Sequence, residues 1–264
     1  MSVMLIAITR PVSESIVRCE LTHVQRAPID LSIARRQHEA YQRLLQSLGV
    51  TIVSLPAEPE LPDAVFVEDA AIVLDEVAVI TRPGAVSRRP ETASVAAALA
   101  RYRPLLHLDP PATLDGGDVL RVGRRIFVGR SSRTNESAVA RLRTLLQPFG
   151  YQVDSVELTG CLHLKSAATH VGDGLLLVNP DWLSGRELSH FDQIAVDPGE
   201  PMAANALLVG STVVHGSQFP RTRGRLEKRG LIVAPVDCTE LAKAEGAVTC
   251  CSILVDVADD SPRV

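Results

Sequence analysis

Asp118-Val119-Leu120-Arg121-Val122-Gly123-Arg124-Arg125-Ile126-Phe127-Val128 opens the segment whose reading decides the fold. Two runs rich in apolar and β-branched residues flank a glycine, the pattern of a β-hairpin. A loop follows through Arg133-Thr134-Asn135. From Glu136 to Phe149, Val139, Leu142, Leu145, Leu146 and Phe149 then recur at helical spacing along one stripe. Pro148 frays the last turn, Gly150 ends it, and Tyr151 to Leu158 extends as a strand. The unit is hairpin, helix, strand.

The same order recurs on both sides. Upstream, Ala71-Ile72-Val73, a turn at Asp75-Glu76 and Val77 to Thr81 predict a hairpin. Arg82 to Pro90 reads as a loop, with Pro90 suited to open a helix. Thr92 to Arg101 reads as a helix and Leu105 to Leu108 as a strand. Nearer the N-terminus, Val3 to Thr9 is a strand, Ile33 to Leu48 an amphipathic helix stopped by Gly49, and Val50 to Leu55 a strand. Downstream, Leu164 to Val171, a Gly172-Asp173-Gly174 turn and Leu175 to Val178 form a block whose helix is weak or shortened. Ala206 to Val209, Gly210-Ser211, Thr212 to His215, a helix over Arg221 to Arg229 and Leu231 to Val236 form another. The last strand is expected to begin at Cys250. The turns at Asp75, Gly123, Gly172 and Gly210 lie 48, 49 and 38 residues apart. Five units of about 53 residues fit the chain, a period that suggests a propeller or solenoid. No glycine- or serine-rich linker divides it. Residues 1–264 therefore read as one closed α/β domain, with loops collecting at the centre of a ring.

Composition narrows the function. A net charge of -4 and 3% aromatic residues offer neither a basic field nor a stacking platform for nucleic acid. No stretch approaches the roughly 20 apolar residues of a membrane span. The start, MSVMLIAITRP, has no basic opening and reads as a strand, not a signal peptide. Cys19, Cys161, Cys238, Cys250 and Cys251 are odd in number and irregularly spaced, which fits neither a disulfide framework nor a CxxC zinc site. A reducing, cytoplasmic setting is the expectation.

Several clusters carry possible chemistry. In Glu245-Gly246-Ala247-Val248-Thr249-Cys250-Cys251-Ser252 a glycine turn delivers a thiol to the mouth of a predicted strand. A thiol is a strong nucleophile once its pKa falls or a base stands close, but free cysteine is more often a small buried hydrophobe. Asp63-Ala64-Val65-Phe66-Val67-Glu68-Asp69 brackets an apolar run with carboxylates. Read as a strand, Asp63, Val65, Val67 and Asp69 share one side, and Phe66 and Glu68 the other. Unpaired buried carboxylates are unfavourable, so either a bound cation or solvated strand ends would account for them. Thr113-Leu114-Asp115-Gly116-Gly117-Asp118 is either a plain turn or a site at which two glycines let the backbone come close. His163, on an expected strand between Leu162 and Leu164, is a core residue unless a cysteine keeps it company. Arg88 and Arg133 follow equivalent hairpins. They are either surface arginines or a pair converging on a carboxylate.

Together these pieces resemble the dimethylarginine dimethylaminohydrolase family of the pentein, or guanidino-group-modifying, superfamily. The matching stretches are Pro62 to Asp69, Ile80 to Ala85, Ser87-Arg88-Arg89 with Glu91, Thr113 to Asp118, Arg133-Thr134-Asn135, Leu162 to Lys165, Ala203-Ala204-Asn205 and Val248-Thr249-Cys250. They keep the family's order over nearly the whole chain. The resemblance implies a five-bladed, pseudo-symmetric α/β propeller with a central channel, in agreement with the repeat count. It also implies a catalytic set of Cys250 as nucleophile, His163 as acid and base, and Asp115. Asp69 and Asp115 would grip a guanidinium, with Asp63, Phe66 and Glu68 about the pocket. Arg88 and Arg133 would hold an α-carboxylate, and carbonyls near Leu21 and Ala244 an α-amino group. The implied reaction converts Nω-methylated arginine to citrulline through a covalent thiouronium, with no metal or organic cofactor, in a monomer or homodimer whose only partner is a small-molecule substrate. Glu245 and Ala247 depart from the family's usual Asp and Gly. Two other readings stay open: an arginine deiminase, which in that family carries an added helical region, and a non-catalytic pentein-fold binding protein, which would lack the cysteine, histidine and carboxylates.

Overall fold

In the computed structural model, which describes residues 3–258, five three-stranded sheets share one wiring. Strands β1 (Val3–Thr9) and β2 (Thr51–Ser54) run parallel, joined by helix α1 (Leu31–Ser47). β3 (Ala71–Val73) and β4 (Ala78–Ile80) form a hairpin, and α2 (Thr92–Leu99) crosses to β5 (Leu105–His107), parallel to β4. β6 (Val119–Val122), β7 (Arg125–Arg130), α3 (Glu136–Leu146) and β8 (Gln152–Glu157) repeat the pattern. A short helix α4 (Leu164–Ala167) leads into β9 (Ala168–Gly172) and β10 (Leu175–Val178); only a 3-10 turn at Pro180–Trp182 precedes β11 (Gln193–Ala195). The fifth hairpin is β12 (Ala206–Val209) with β13 (Thr212–Gly216), and α5 (Pro220–Lys228) returns to β14 (Ile232–Val236). The last strand, β15 (Ile253–Ala258), pairs antiparallel with β1 and so supplies the hairpin partner that the first blade lacks. This closes the five-bladed propeller.

Each middle strand is covered on both faces. Ala78, Val79 and Ile80 of β4, Ile126, Phe127 and Val128 of β7, and Leu176, Leu177 and Val178 of β10 are all buried. This is why these strands read as continuous apolar runs instead of alternating ones. Two of the crossover helices, α1 and α3, are started by side-chain caps. Asp30 accepts from the backbone N–H groups of Ser32 and Ile33 at 2.9 and 3.0 Å. Asn135 caps α3 through Ala138 and also accepts from Thr113 N–H at 3.1 Å, which ties the Asp115 loop to the Arg133 loop.

Several local expectations are corrected. Asp63–Asp69 is not a strand: the Phe66 N–H donates to the Asp63 carbonyl at 2.9 Å, and Val67–Ala70 coil into a 3-10 helix. The alternation of sides therefore does not apply. The carboxylates are instead drawn to donors on other segments, Asp63 to Glu20 N–H and Asp69 to Gly117 N–H. Val86–Glu91, expected as loop, is a 3-10 helix running into α2. Leu164–Ala167 is helical, so His163 stands at a helix entry and the strand starts at Ala168. Cys250 lies in a turn, three residues before β15 begins at Ile253.

Candidate active site

The first strand of every hairpin is entered through a tight, mostly helical turn, and each of these turns carries a chemistry-bearing group. Asp69 precedes β3, Asp115 and Asp118 precede β6, His163 precedes β9, Asn205 precedes β12 and Cys250 precedes β15. The five-fold repeat thus gathers side chains that are far apart in sequence. Asp63, Phe66, Asp69, Arg88, Arg133, His163, Ala244 and Cys250 line one cavity, together with Glu20, Leu162 and Glu245.

His163 is held from both sides. Its Nε2 lies 3.2 Å from Asp115 Oδ2 and its Nδ1 3.9 Å from Asp69 Oδ1. Burial alone would lower its pKa, but Asp69, the Asp115 hydrogen bond and Asp118 outweigh that and raise it to about 9. Asp69 is buried too; His163, Arg88 and the Gly117 N–H nevertheless hold it at about 2. Gly117 is needed at this point. A Cβ there would stand 2.6 Å from His163 Nδ1 and 2.8 Å from Asp69 Oδ1. Asp118 accepts from the Ser131 and Thr134 hydroxyls and the Leu164 N–H, and burial lifts its pKa to about 6. It anchors the residue next to His163.

The Cys250 thiol faces the cavity in the opposite electrostatic condition. Burial pushes its pKa well up, and Glu68 and Asp69 push the same way. The free site therefore pairs a protonated thiol with a protonated imidazole. Cys251 packs in the apolar cluster around Tyr41 and Leu45.

The other expected site residues divide by position. Arg88 is fully engaged with the protein: it donates to Asp69 at 2.6 Å, to Glu91 at 2.9 Å and to the Phe66 carbonyl at 3.1 Å. Arg133 is less committed, with Thr22 Oγ1 at 3.2 Å and Asp115 at 3.8 Å. Asp115 stands behind His163, outside the cavity lining, and also accepts from Gly84 N–H at 2.9 Å. Glu68 turns the other way. It accepts from Lys165 at 2.6 Å and from Thr249 at 2.7 Å, and with them lines a separate cavity of about 510 Å³. Leu21 packs against the Tyr41 cluster next to the loop that covers the site. Asp118, Lys165, Thr249 and Asn205 were not singled out from sequence. All four lie inside motifs quoted above, and only their contacts separate them from neighbours.

Asp69, Asp115 and His163 bring ligand-type atoms within 4.8 Å of one another. Arg88 already neutralises Asp69 there. The donor set left facing the cavity is carboxylate, thiol and arginine around an aromatic edge, which suits an organic cation carrying its own carboxylate.

A sequence profile described as "N,N dimethylarginine dimethylhydrolase, eukaryotic" matches residues 22–190. The N(G),N(G)-dimethylarginine dimethylaminohydrolase of Streptomyces coelicolor is 39% identical over 94% of this chain and 95% of its own. The enzyme of the same name from Pseudomonas aeruginosa is 35% identical over 85% of this chain and 89% of its own. The chain belongs to the dimethylarginine dimethylaminohydrolase family. A solved Pseudomonas aeruginosa member, a cysteine-to-serine variant with citrulline, superposes with a TM-score of 0.91 at 33% identity, covering 96% of this chain and 100% of that one. The amino-terminal domain of the arginine dihydrolase ArgZ, 20% identical with a TM-score of 0.87, shares the pentein fold. Family membership makes the chain a hydrolase. Among the described residues no helix is long and apolar enough to cross a membrane.

Proposed function

We propose that the protein hydrolyses Nω-methylated arginine, asymmetric dimethylarginine and monomethylarginine, to citrulline and dimethylamine or methylamine respectively. The observation that carries this reading is one cavity lined by Cys250, His163 and Asp69, with Asp63 and Arg133 also on its wall. A guanidinium carbon is a weak electrophile, so orientation and charge placement supply most of the catalysis. Asp69 and Asp63 receive the cation. Its positive charge, placed beside Cys250, favours loss of the thiol proton to solvent and gives thiolate. The thiolate forms the C–S bond, and His163, charged in the free site, passes its proton to the departing amine as the C–N bond breaks. The neutral imidazole then takes a proton from water, whose oxygen attacks the thiouronium carbon. Cleavage of C–S returns the sulfur and releases citrulline. Asp115 holds the imidazole in orientation throughout. Arg133, the less committed of the two arginines, takes the substrate α-carboxylate, and carbonyls near Leu21 and Ala244 take its α-amino group. Five free thiols support a reducing compartment such as the cytoplasm.

Preference for the methylated substrate is supported by Phe66, whose ring lines the cavity and packs on Gly246. A methyl in an apolar pocket contributes at most about 1–3 kcal/mol, or roughly 10- to 200-fold. The test compares kcat/KM for arginine, monomethylarginine and asymmetric dimethylarginine, reading ammonia, methylamine and dimethylamine separately. Arginine as the best of the three would make the enzyme a deiminase.

A further inference from the structure

We infer that Asn205, the group that the fifth blade contributes to the ring of strand entries, is a positioning residue for the nucleophile, acting through Thr249. The contacts are specific. The Asn205 carboxamide oxygen accepts from the Thr249 backbone N–H at 3.1 Å, and its nitrogen donates to Thr249 Oγ1 at 2.9 Å and to the Lys165 carbonyl at 3.2 Å. A backbone N–H can only donate and a backbone carbonyl can only accept, so the orientation of the amide is determined. Its direction then fixes the hydroxyl. Thr249 Oγ1 accepts from Asn205 and gives its proton to Glu68 Oε2 at 2.7 Å, while Lys165 donates to Glu68 Oε1 at 2.6 Å. The backbone joins in, because Glu68 N–H donates to the Cys250 carbonyl at 3.2 Å.

The peptide just before Cys250 is therefore gripped at its N–H by Asn205, at its side chain by Asn205 and Glu68, and one residue on at its carbonyl by Glu68. Neither near-isostere does what Asn205 does in this space. Aspartate offers no donor to the Lys165 carbonyl or the Thr249 hydroxyl and adds charge beside Glu68; leucine offers neither donor nor acceptor. Asn205 and Thr249 are both buried, and neither lines the catalytic cavity. Asn205 thus sets where the sulfur stands without touching substrate. The loop also has room to move if released. On its far side lies a cavity of about 340 Å³, walled by Asn205, Gly246, Ala247 and Val248 and by Phe219, Met202 and Ala242.

This inference rests on the proposed reaction, but covalent capture of Cys250 by 2-chloroacetamidine tests it without any turnover of methylated arginine. Misplacing a reacting atom by about 1 Å lowers rates by roughly 100-fold. Asn205→Ala is therefore expected to lower both kcat and the capture rate by about 10- to 100-fold, with KM for dimethylarginine within about 3-fold, since Asp63, Asp69 and Arg133 are untouched. Thr249→Val should reproduce the loss, and Thr249→Ser, which keeps the hydroxyl, should stay within about 3-fold of wild type. The double variant Asn205→Ala/Thr249→Val should lose little more than either alone, because one network is cut twice. Rates are normalised to cysteine titrated in the folded fraction. Wild-type capture per folded molecule in Asn205→Ala, or in Thr249→Val if the first variant does not fold, would overturn the inference, as would fully additive losses. Capture slowed as expected while dimethylarginine is not turned over by wild type would instead count against the proposed substrate and leave the positioning role standing.

Discussion

Two arginines that look alike in sequence do different work. Arg88 lies between the Asp69 and Glu91 carboxylates, with all three groups buried. Removing it strands two carboxylates out of water, so Arg88→Ala is expected to destabilise the fold by about 3–5 kcal/mol. Arg133→Ala should leave the denaturation midpoint near wild type. It should weaken substrates with an α-carboxylate about 10- to 100-fold relative to agmatine-like amines that lack one. Equal denaturation midpoints for the two variants would show this division to be wrong. His163 provides a second check. Its pKa is raised to about 9 from an ordinary 6.5, so its contribution to stability is complete below pH 6.5 and is lost as pH rises through 9. Asp69, held at about 2 against 3.8, contributes above pH 3.8 and loses that contribution as pH falls through 2. Asp118, raised to about 6, and Glu91, raised to about 7, lose stability as pH rises through those values and overlap the lower part of the histidine window, but both titrate in wild type and in a His163 variant alike. Urea midpoints measured from pH 6 to 10 should fall for wild type and stay flatter for His163→Gln; parallel curves would remove His163 from this ion network.

At the scale of elements, the cysteine loop and the Thr22–Val24 segment act as one cover. The Glu245 carboxylate accepts from three successive backbone N–H groups, Thr22 at 2.8 Å, His23 at 2.5 Å and Val24 at 2.8 Å. Glu245 holds φ +58°, a conformation that a non-glycine residue adopts only when its surroundings demand it. Next to it, Gly246 runs so close to Phe66 that a Cβ would meet the ring at 2.1 Å. The catalytic cavity beneath has a volume of about 20 Å³, room for one water and far too little for an arginine. This cover is expected to lift for substrate entry. Glu245→Ala removes three charge-assisted bonds and should speed amide hydrogen exchange across residues 20–28. It should also raise KM about 10-fold through faster escape of bound substrate. Unchanged exchange in that segment would show that the carboxylate does not hold it.

On the scale of the whole molecule, closure comes from the last strand. Val3 lies opposite Ala258 in the β1–β15 ladder, so the two ends of the described chain are neighbours. Ends of the described chain meet within a blade, whereas the exposed Ser184–Arg186 segment lies in a connection that carries only a 3-10 turn. A circular permutant that joins residue 258 to residue 3 through a short linker, with new ends after Gly185, keeps every strand pairing. It is expected to retain activity and to melt within a few degrees of the parent. A permutant that cannot form the first sheet would lose both, and calorimetry with a turnover assay separates the two outcomes.

The repeat was legible in the chain because each blade buries its middle strand on both faces, and a buried strand announces itself as an unbroken apolar run between turn residues. The motifs also marked Cys250, His163, Asp63 and Asp69, which line one cavity. What the chain alone did not determine was the local conformation of these residues and the way they face. Asp63–Asp69 alternates like a strand, yet its carboxylates are captured by N–H groups and an arginine from elsewhere, and the backbone coils to deliver them. Neighbours in sequence such as Glu68 and Asp69, or Thr249 and Cys250, line different cavities. Arg88 is ion-paired with Asp69 and Glu91, Asp115 approaches His163 Nε2 within hydrogen-bonding distance, and Asn205 donates to Thr249. Each of these contacts joins residues between 3 and 48 positions apart, at a distance and angle set by how five sheets close on one another. Hydrogen bonds and ion pairs are decided over a few tenths of an ångström, and local sequence preference carries no information at that range.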